Sequence, residues 1–540
     1  MRFSATSRWP SEARLALLLL FLLAPAWATA QTEVDKQIDK IGGLFRLIDD
    51  YYVDTVDHNA LGEAVIVKAL RELDPHSVYI SAEDVNRANE GLRGNFEGVG
   101  IQFNILRDTI LVVATIEGGP SEKVGLLASD RIVTVDGETV AGIGIDNRGV
   151  AERLRGPKGT EVVVEVARRG EEGLLEFLIT RDKIPLNSLQ ASYMIDETTG
   201  YVKITRFAAK TLLEFREAVD DLTARGMETL ILDLQGNSGG YLNTAFQLAD
   251  EFLVADRLIV YTEGVNSPRN EFRSTRNGTF EDQNLIILID QFSASASEIV
   301  SGAVQDWDRG LLVGRRTFGK GLVQKPFTLS DGAQVRLTVA NYYTPSGRFI
   351  QKPYDDGSAG YRKELAERLR RGELTDSAQA RYEDSLAYTT EGGRTVYGGG
   401  GIMPDVFVPL DTNWTDDFAS KVRRKGLINK FVLDYLDRYR DQLEEFYPTA
   451  EDLREDFLVE GAFWDEFDTY VHEKLPDLEE APTERSGEVL GIQLKALLAR
   501  NLYGSTGFYI IQNELNDALH VALDELSRGD IDKRQIQWRE

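Results

Sequence analysis

At 540 residues the chain exceeds one ordinary domain, and three or four units are expected. Hydrophobic residues at 42% and charged residues at 28% describe a globular chain and exclude a disordered one. A net charge of −27 with no basic patch argues against nucleic acid as a partner. The absence of cysteine excludes thiol nucleophiles and disulfides.

In chain order, Arg2, Arg8 and Arg14 precede an apolar run from Leu15 to Trp27, followed by Ala28-Thr29-Ala30. That pattern predicts an export signal peptide over residues 1–30. The run is shorter than the ~18 residues that span a bilayer, and an uncleaved membrane anchor is the alternative. The absence of cysteine after it excludes a lipid-anchored lipoprotein. Residues 31–94 read as helical, with Ile38, Ile41, Leu44, Phe45 and Ile48 at helix spacing. A second helix is expected over residues 61–73, and Leu73-Asp74-Pro75-His76-Ser77 reads as a turn.

Residues 95–183 change to short strands and Gly-rich turns, a compact β-rich module. Residues 184–411 alternate strands and helices. The apolar runs 229–234 and 285–289 have the character of buried strands in an α/β sheet. Each precedes a small-residue turn and a helix pattern, and ligands of such sheets bind beyond the carboxyl ends of strands. Residues 354–397, rich in Arg and Glu, are expected to be a surface insertion. Residues 412–540 form a helical extension. Its apolar stripe through Leu427, Phe431, Leu436 and Tyr439 fits an intrachain core or a dimer interface equally. The fold class is multidomain α/β.

Four constellations could carry chemistry. The first is Ser293-Ala294-Ser295-Ala296-Ser297-Glu298, just beyond the second buried strand. A hydroxyl at a tight turn, flanked by small residues and free backbone N–H groups, suits a nucleophile and an oxyanion site. The plain alternative is a helix N-terminus capped by Ser293 or Ser295. The second is Phe318-Gly319-Lys320-Gly321-Leu322-Val323-Gln324. A lysine near the core loses hydration, and its neutral amine can act as a general base. If the stretch is a strand, Gln324 shares the face of Lys320 and can orient it. The third is the turn Gln235-Gly236-Asn237-Ser238-Gly239-Gly240, whose N–H groups suit an oxyanion hole. The fourth is Gly98-Val99-Gly100-Ile101, a loop that can present N–H groups to a peptide carboxylate beside a strand edge. His58, His76, His472 and His520 lack metal-ligand spacing.

Taken in this order, the motifs resemble those of the carboxyl-terminal processing proteases, the tail-specific Ser-Lys peptidases of family S41. The likeness runs over residues 34–410. It implies a PDZ domain ahead of an α/β core related to crotonase and Clp protease sheets. It implies Ser295 as nucleophile, Lys320 as base and Gln324 as its orienting partner. The oxyanion hole would be the Ala296 N–H with that of Gly239 or Gly240, and Gly98, Val99, Gly100 and Ile101 would bind the substrate's carboxylate. No metal or cofactor is implied. The implied partners are protein substrates held by their C-termini, an activating adaptor and a second copy of the chain, in the periplasm or cell envelope. Gln235 and Ser238 depart from the family's usual Arg and Pro. Arg155-Gly156-Pro157-Lys158-Gly159-Thr160 is a charged turn that could face the core and gate the site. A catalytically silent peptide-binding scaffold is the competing reading.

Overall fold

A computed structural model describes residues 32–116, 118–275, 278–380, 384–529, 531–532 and 535–536. The expected signal peptide lies outside the described residues. The chain divides into two compact units, residues 1–68 and 69–540. In the first, helix Glu33–Tyr51 starts at a Thr32 capping box and buries none of its residues. Val34, Ile38, Ile41, Leu44 and Leu47 stand exposed along it. The expected second helix begins earlier than its periodicity suggested, at His58, and runs to Arg71.

In the second unit, strands Ile101–Leu106, Thr109–Thr115, Arg131–Val135, Glu161–Ala167 and Leu174–Thr180 pair antiparallel in that order. Helices Pro120–Lys123 and Asn147–Leu154 complete this PDZ-like module. Its core gathers Val99, Ile110, Val112, Ile132, Val150 and Val164. Asn95–Gly98 pairs antiparallel with Asp182–Pro185, so one ribbon carries the chain into the module and back out.

The central sheet runs Leu189–Met194, Thr199–Ile204, Thr229–Asp233, Asn284–Ile289, Leu311–Gly314, Val406–Phe407. Only the first pair is antiparallel. Its runs are apolar on both faces because both faces are covered. Leu230, Leu232, Ile287 and Ile289 pack with helices Thr211–Ala224, Leu242–Asp250 and Ala296–Asp306. The alternate residues Ile231, Ile286 and Leu288 pack against the C-terminal helices Leu427–Phe446 and Glu484–Gln512. The apolar stripe is therefore intrachain core: Leu427, Phe431 and Leu436 are buried there.

A second sheet places Gln334–Tyr343 between Leu322–Thr328 on one side and Val78–Ile80 with Leu258–Gly264 on the other. The stretch read as a surface insertion is partly interior. Its helix Gly357–Arg370 buries Tyr361 and Arg368, and Arg368 pairs with buried Glu373 at 2.8 Å. The charged pattern that suggested a surface instead supplies an internal ion-pair cluster with Arg316 and Glu364.

Candidate active site

Strand Asn284–Ile289 ends in a turn that buries Ser293, whose Oγ donates to the Leu234 carbonyl at 2.8 Å. Ser295 is the residue at the helix boundary, and helix Ala296–Asp306 follows it. Its backbone is left-handed in φ (+55°) with ψ −110°, a conformation rare for a residue with a Cβ. Such an outlier persists only where the surroundings over-determine it. Here the Ser295 N–H donates to Glu298 Oε2 at 2.7 Å.

Glu298 is the residue whose part the sequence left unread. Its buried carboxylate also accepts from Thr317 Oγ1 at 2.6 Å, Gly319 N–H at 2.7 Å and Lys320 N–H at 2.9 Å. Burial pushes this carboxyl up, and the donors pull it back. One side chain thus clamps the serine turn to the lysine loop. Tyr342 does the same from the second sheet, its hydroxyl reaching the carbonyls of Ser295 at 3.0 Å and Lys320 at 2.6 Å. The only signal for Glu298 was an acidic residue in the first helical turn, which reads equally as a cap. Tyr342 gave none.

Lys320 precedes its strand, which begins at Leu322 and carries an irregularity between Val323 and Gln324. Simple alternation therefore does not set the two side chains on one face, yet Lys320 Nζ donates to Gln324 Oε1 at 3.0 Å. Burial holds the Lys320 ammonium below the ordinary lysine range, against the pull of Glu298 and Asp74. Among the described residues no hydrogen bond joins the Lys320 amine to Ser295. Such bonds are often long before substrate arrives. Both residues line one cavity of about 390 Å³, shared with Gly239, Gly240, Gln324 and Arg336.

The glycine turn beyond strand Thr229–Asp233 is stitched to the serine run. Ala294 N–H and Ser297 Oγ both donate to the Asn237 carbonyl, at 3.0 and 2.8 Å. A Cβ on Gly239 would lie 2.9 Å from Ser295 Cβ, so only glycine allows this approach. The two glycines differ in use. Gly239 N–H donates to Asn237 Oδ1 at 2.9 Å, while no acceptor for the Gly240 or Ala296 N–H is found among the described residues. His76, read as a turn residue, is one, and its carbonyl accepts from Gln324 Nε2.

In the PDZ-like module, Val99 is buried and its carbonyl accepts from Ser121 N–H and Oγ. Gly100 takes φ +78°, where a Cβ would meet Ile184 at 2.9 Å. Ile101 opens the strand that ends the sheet, whose outer edge carries no strand among the described residues. Gly98 closes the ribbon at Asp182. The charged turn meets helix Val85–Arg93 of the N-terminal segment: Arg155 Nη1 lies 2.7 Å from Glu90 Oε2, and Asn89 and Leu92 of that helix line the Ser295 cavity.

A serine at a strained strand-to-helix turn, lining one cavity with a buried lysine and Gly240, is an arrangement suited to serine-hydrolase chemistry. The model of peptidase family S41 matches residues 198–356. A model described as a family of unknown function matches residues 418–504. The carboxy-terminal processing protease CtpB of Bacillus subtilis is 33% identical over 331 residues, 61% of this chain and 68% of that protein. The carboxy-terminal-processing protease of Bartonella bacilliformis is 32% identical over 354 residues, 63% and 81% of the two chains. The solved photosystem II D1 C-terminal processing protease is 30% identical, with a TM-score of 0.33 over 56% of this chain and 82% of its own. The chain belongs to the carboxy-terminal processing proteases of peptidase family S41, which are serine-type proteases.

Proposed function

We propose that the protein is an exported endopeptidase of Ser-Lys type that captures a polypeptide by its C-terminus and cleaves it upstream. The observation that carries the reading is the Lys320 amine, desolvated and held by Gln324 on the cavity that Ser295 lines. Ser295 Oγ attacks the scissile carbonyl and Lys320 takes its proton, then returns it to the leaving amine. The Ala296 and Gly240 N–H groups receive the oxyanion. Gly240 is preferred to Gly239 because the Gly239 N–H is already engaged by Asn237.

The free edge of strand Ile101–Leu106 supports capture of a peptide as an added strand, with its carboxylate at Gly98–Ile101. The exposed apolar stripe of helix Glu33–Tyr51 supports a homo-oligomer. Export rests on residues 1–30, and cell fractionation that leaves the chain in the cytosol would contradict it. The whole reading is tested with a loosely folded protein carrying, or lacking, an apolar C-terminal tail. Wild type should cleave the tailed substrate faster, and Ser295→Ala should cleave neither. Cleavage by Ser295→Ala sinks the nucleophile, and equal rates with and without the tail sink the capture step.

A further inference from the structure

The orienting amide of Gln324 is itself held, and by a part of the chain far away in sequence. Its Nε2 donates to the backbone carbonyl of His76. A carbonyl oxygen only accepts, so only the NH2 end of the amide can face it. The oxygen end is thereby turned to Lys320, whose Nζ lies 3.0 Å from Oε1. With the amide reversed, Lys320 would face two N–H donors and its neutral nitrogen would be engaged as an acceptor. That would consume the lone pair a general base needs. With the amide as found, one N–H of the amine is spent on Oε1. The lone pair is left to the remaining directions at Nζ, within the cavity that Ser295 lines.

The carbonyl is fixed in turn. Buried Asp74 folds the Asp74-Pro75-His76-Ser77 turn by accepting from His76 N–H at 2.7 Å, Ser77 N–H at 2.8 Å and Ser77 Oγ at 2.6 Å. Ser77 Oγ accepts from Thr338 N–H at 3.1 Å, pinning the turn to the strand beside Leu322–Thr328. The His76 ring meets the Tyr361 hydroxyl at 2.8 Å, pinning its other side. Tyr361 is also reached by Gln351 Nε2 at 3.2 Å, and Gln351 Oε1 accepts from Gly321 N–H beside the lysine.

We propose that the Asp74–Ser77 turn is a positioning element of the site, with Asp74 as its key residue. It acts through Gln324 by fixing which end of that amide faces Lys320. The inference rests on the Ser-Lys reading above.

The test is a double-mutant cycle on peptide cleavage with the full chain: wild type, Asp74→Ala, Gln324→Ala and the double variant. Loss of cleavage in both Ser295→Ala and Lys320→Ala first secures the Ser-Lys reading. No cleavage by wild type overturns both the reading and this inference. Read at alkaline pH, where the pull of Asp74 on the Lys320 ammonium no longer matters, Asp74→Ala should lower kcat about tenfold with KM unchanged, and the double variant should match Gln324→Ala within about twofold, because the turn's hydrogen bond to the lysine's partner runs through the amide. If the two losses multiply, or if Asp74→Ala raises KM and leaves kcat alone, the turn does not act through the amide and the proposal falls. Should Asp74→Ala fail to fold, Ser77→Ala takes its place in the same cycle with the same two outcomes, since it removes the bonds to Asp74 and Thr338 alone.

Discussion

Ser295, Lys320 and Glu298 show how single side chains build the proposed site. Glu298 holds the serine turn and the lysine loop together, and burial lowers the Lys320 ammonium from its ordinary range. His76 is a titratable group on the same assembly. Burial, with Lys320 close by, drives its imidazole down to about 4 from an ordinary 6.5. The neutral ring is the form built into the fold. Between those two values the unfolded chain binds more protons than the folded one. Stability is therefore fully present above about 6.5 and is lost as pH falls toward about 4. Thermal unfolding of wild type should fall more steeply over that window than that of His76→Gln. Parallel curves would show that His76 titrates normally.

At the scale of elements, helix Glu33–Tyr51 offers the clearest prediction. Val34, Ile38, Ile41, Phe45, Ile48 and Tyr52 repeat at alternating steps of four and three, the spacing of a coiled-coil seam. None of the helix is buried. Light scattering should give an oligomer for wild type and a smaller species for an Ile38→Asp, Ile41→Asp variant. An unchanged mass would remove this helix from any interface.

The elements also show what was readable. The strands Thr229–Asp233 and Asn284–Ile289 were legible as apolar runs because each is buried on both faces. The Ser and Lys motifs were legible because small residues and glycine flank them. The turn at Asp74, the clamp by Tyr342 and the packing of Tyr361 were not legible in function. Each acts across a long separation, as from His76 to Gln324, and a single residue type at one position carries no trace of its distant partner. The stripe in helix Leu427–Phe446 was legible as apolar but not in its partner, since a sheet face and a second copy ask for the same side chains.

For the whole molecule, the C-terminal helices close the second face of the central sheet, and the family of unknown function matched over residues 418–504 falls on them. The same extension reaches the PDZ-like module: buried Leu433 packs with Leu106, Leu111 and Val113. Arg107 pairs with Asp434 at 2.9 Å and Arg131 with Asp437 at 2.7 Å. The module also meets, through Arg155 and Glu90, the helix whose Asn89 and Leu92 line the Ser295 cavity. The PDZ-like module, the Ser295 cavity and the extension are thus linked by direct contacts.

The proposed chemistry turns on a neutral Lys320 acting as base for Ser295. It is tested most directly by kcat/KM for peptide cleavage against pH, wild type beside Lys320→Ala. A single acid limb is predicted, below the ordinary lysine range because burial disfavours the ammonium, with full activity above it and none in Lys320→Ala. A rate that stays flat into strongly acid pH, or one that survives in Lys320→Ala, would contradict it.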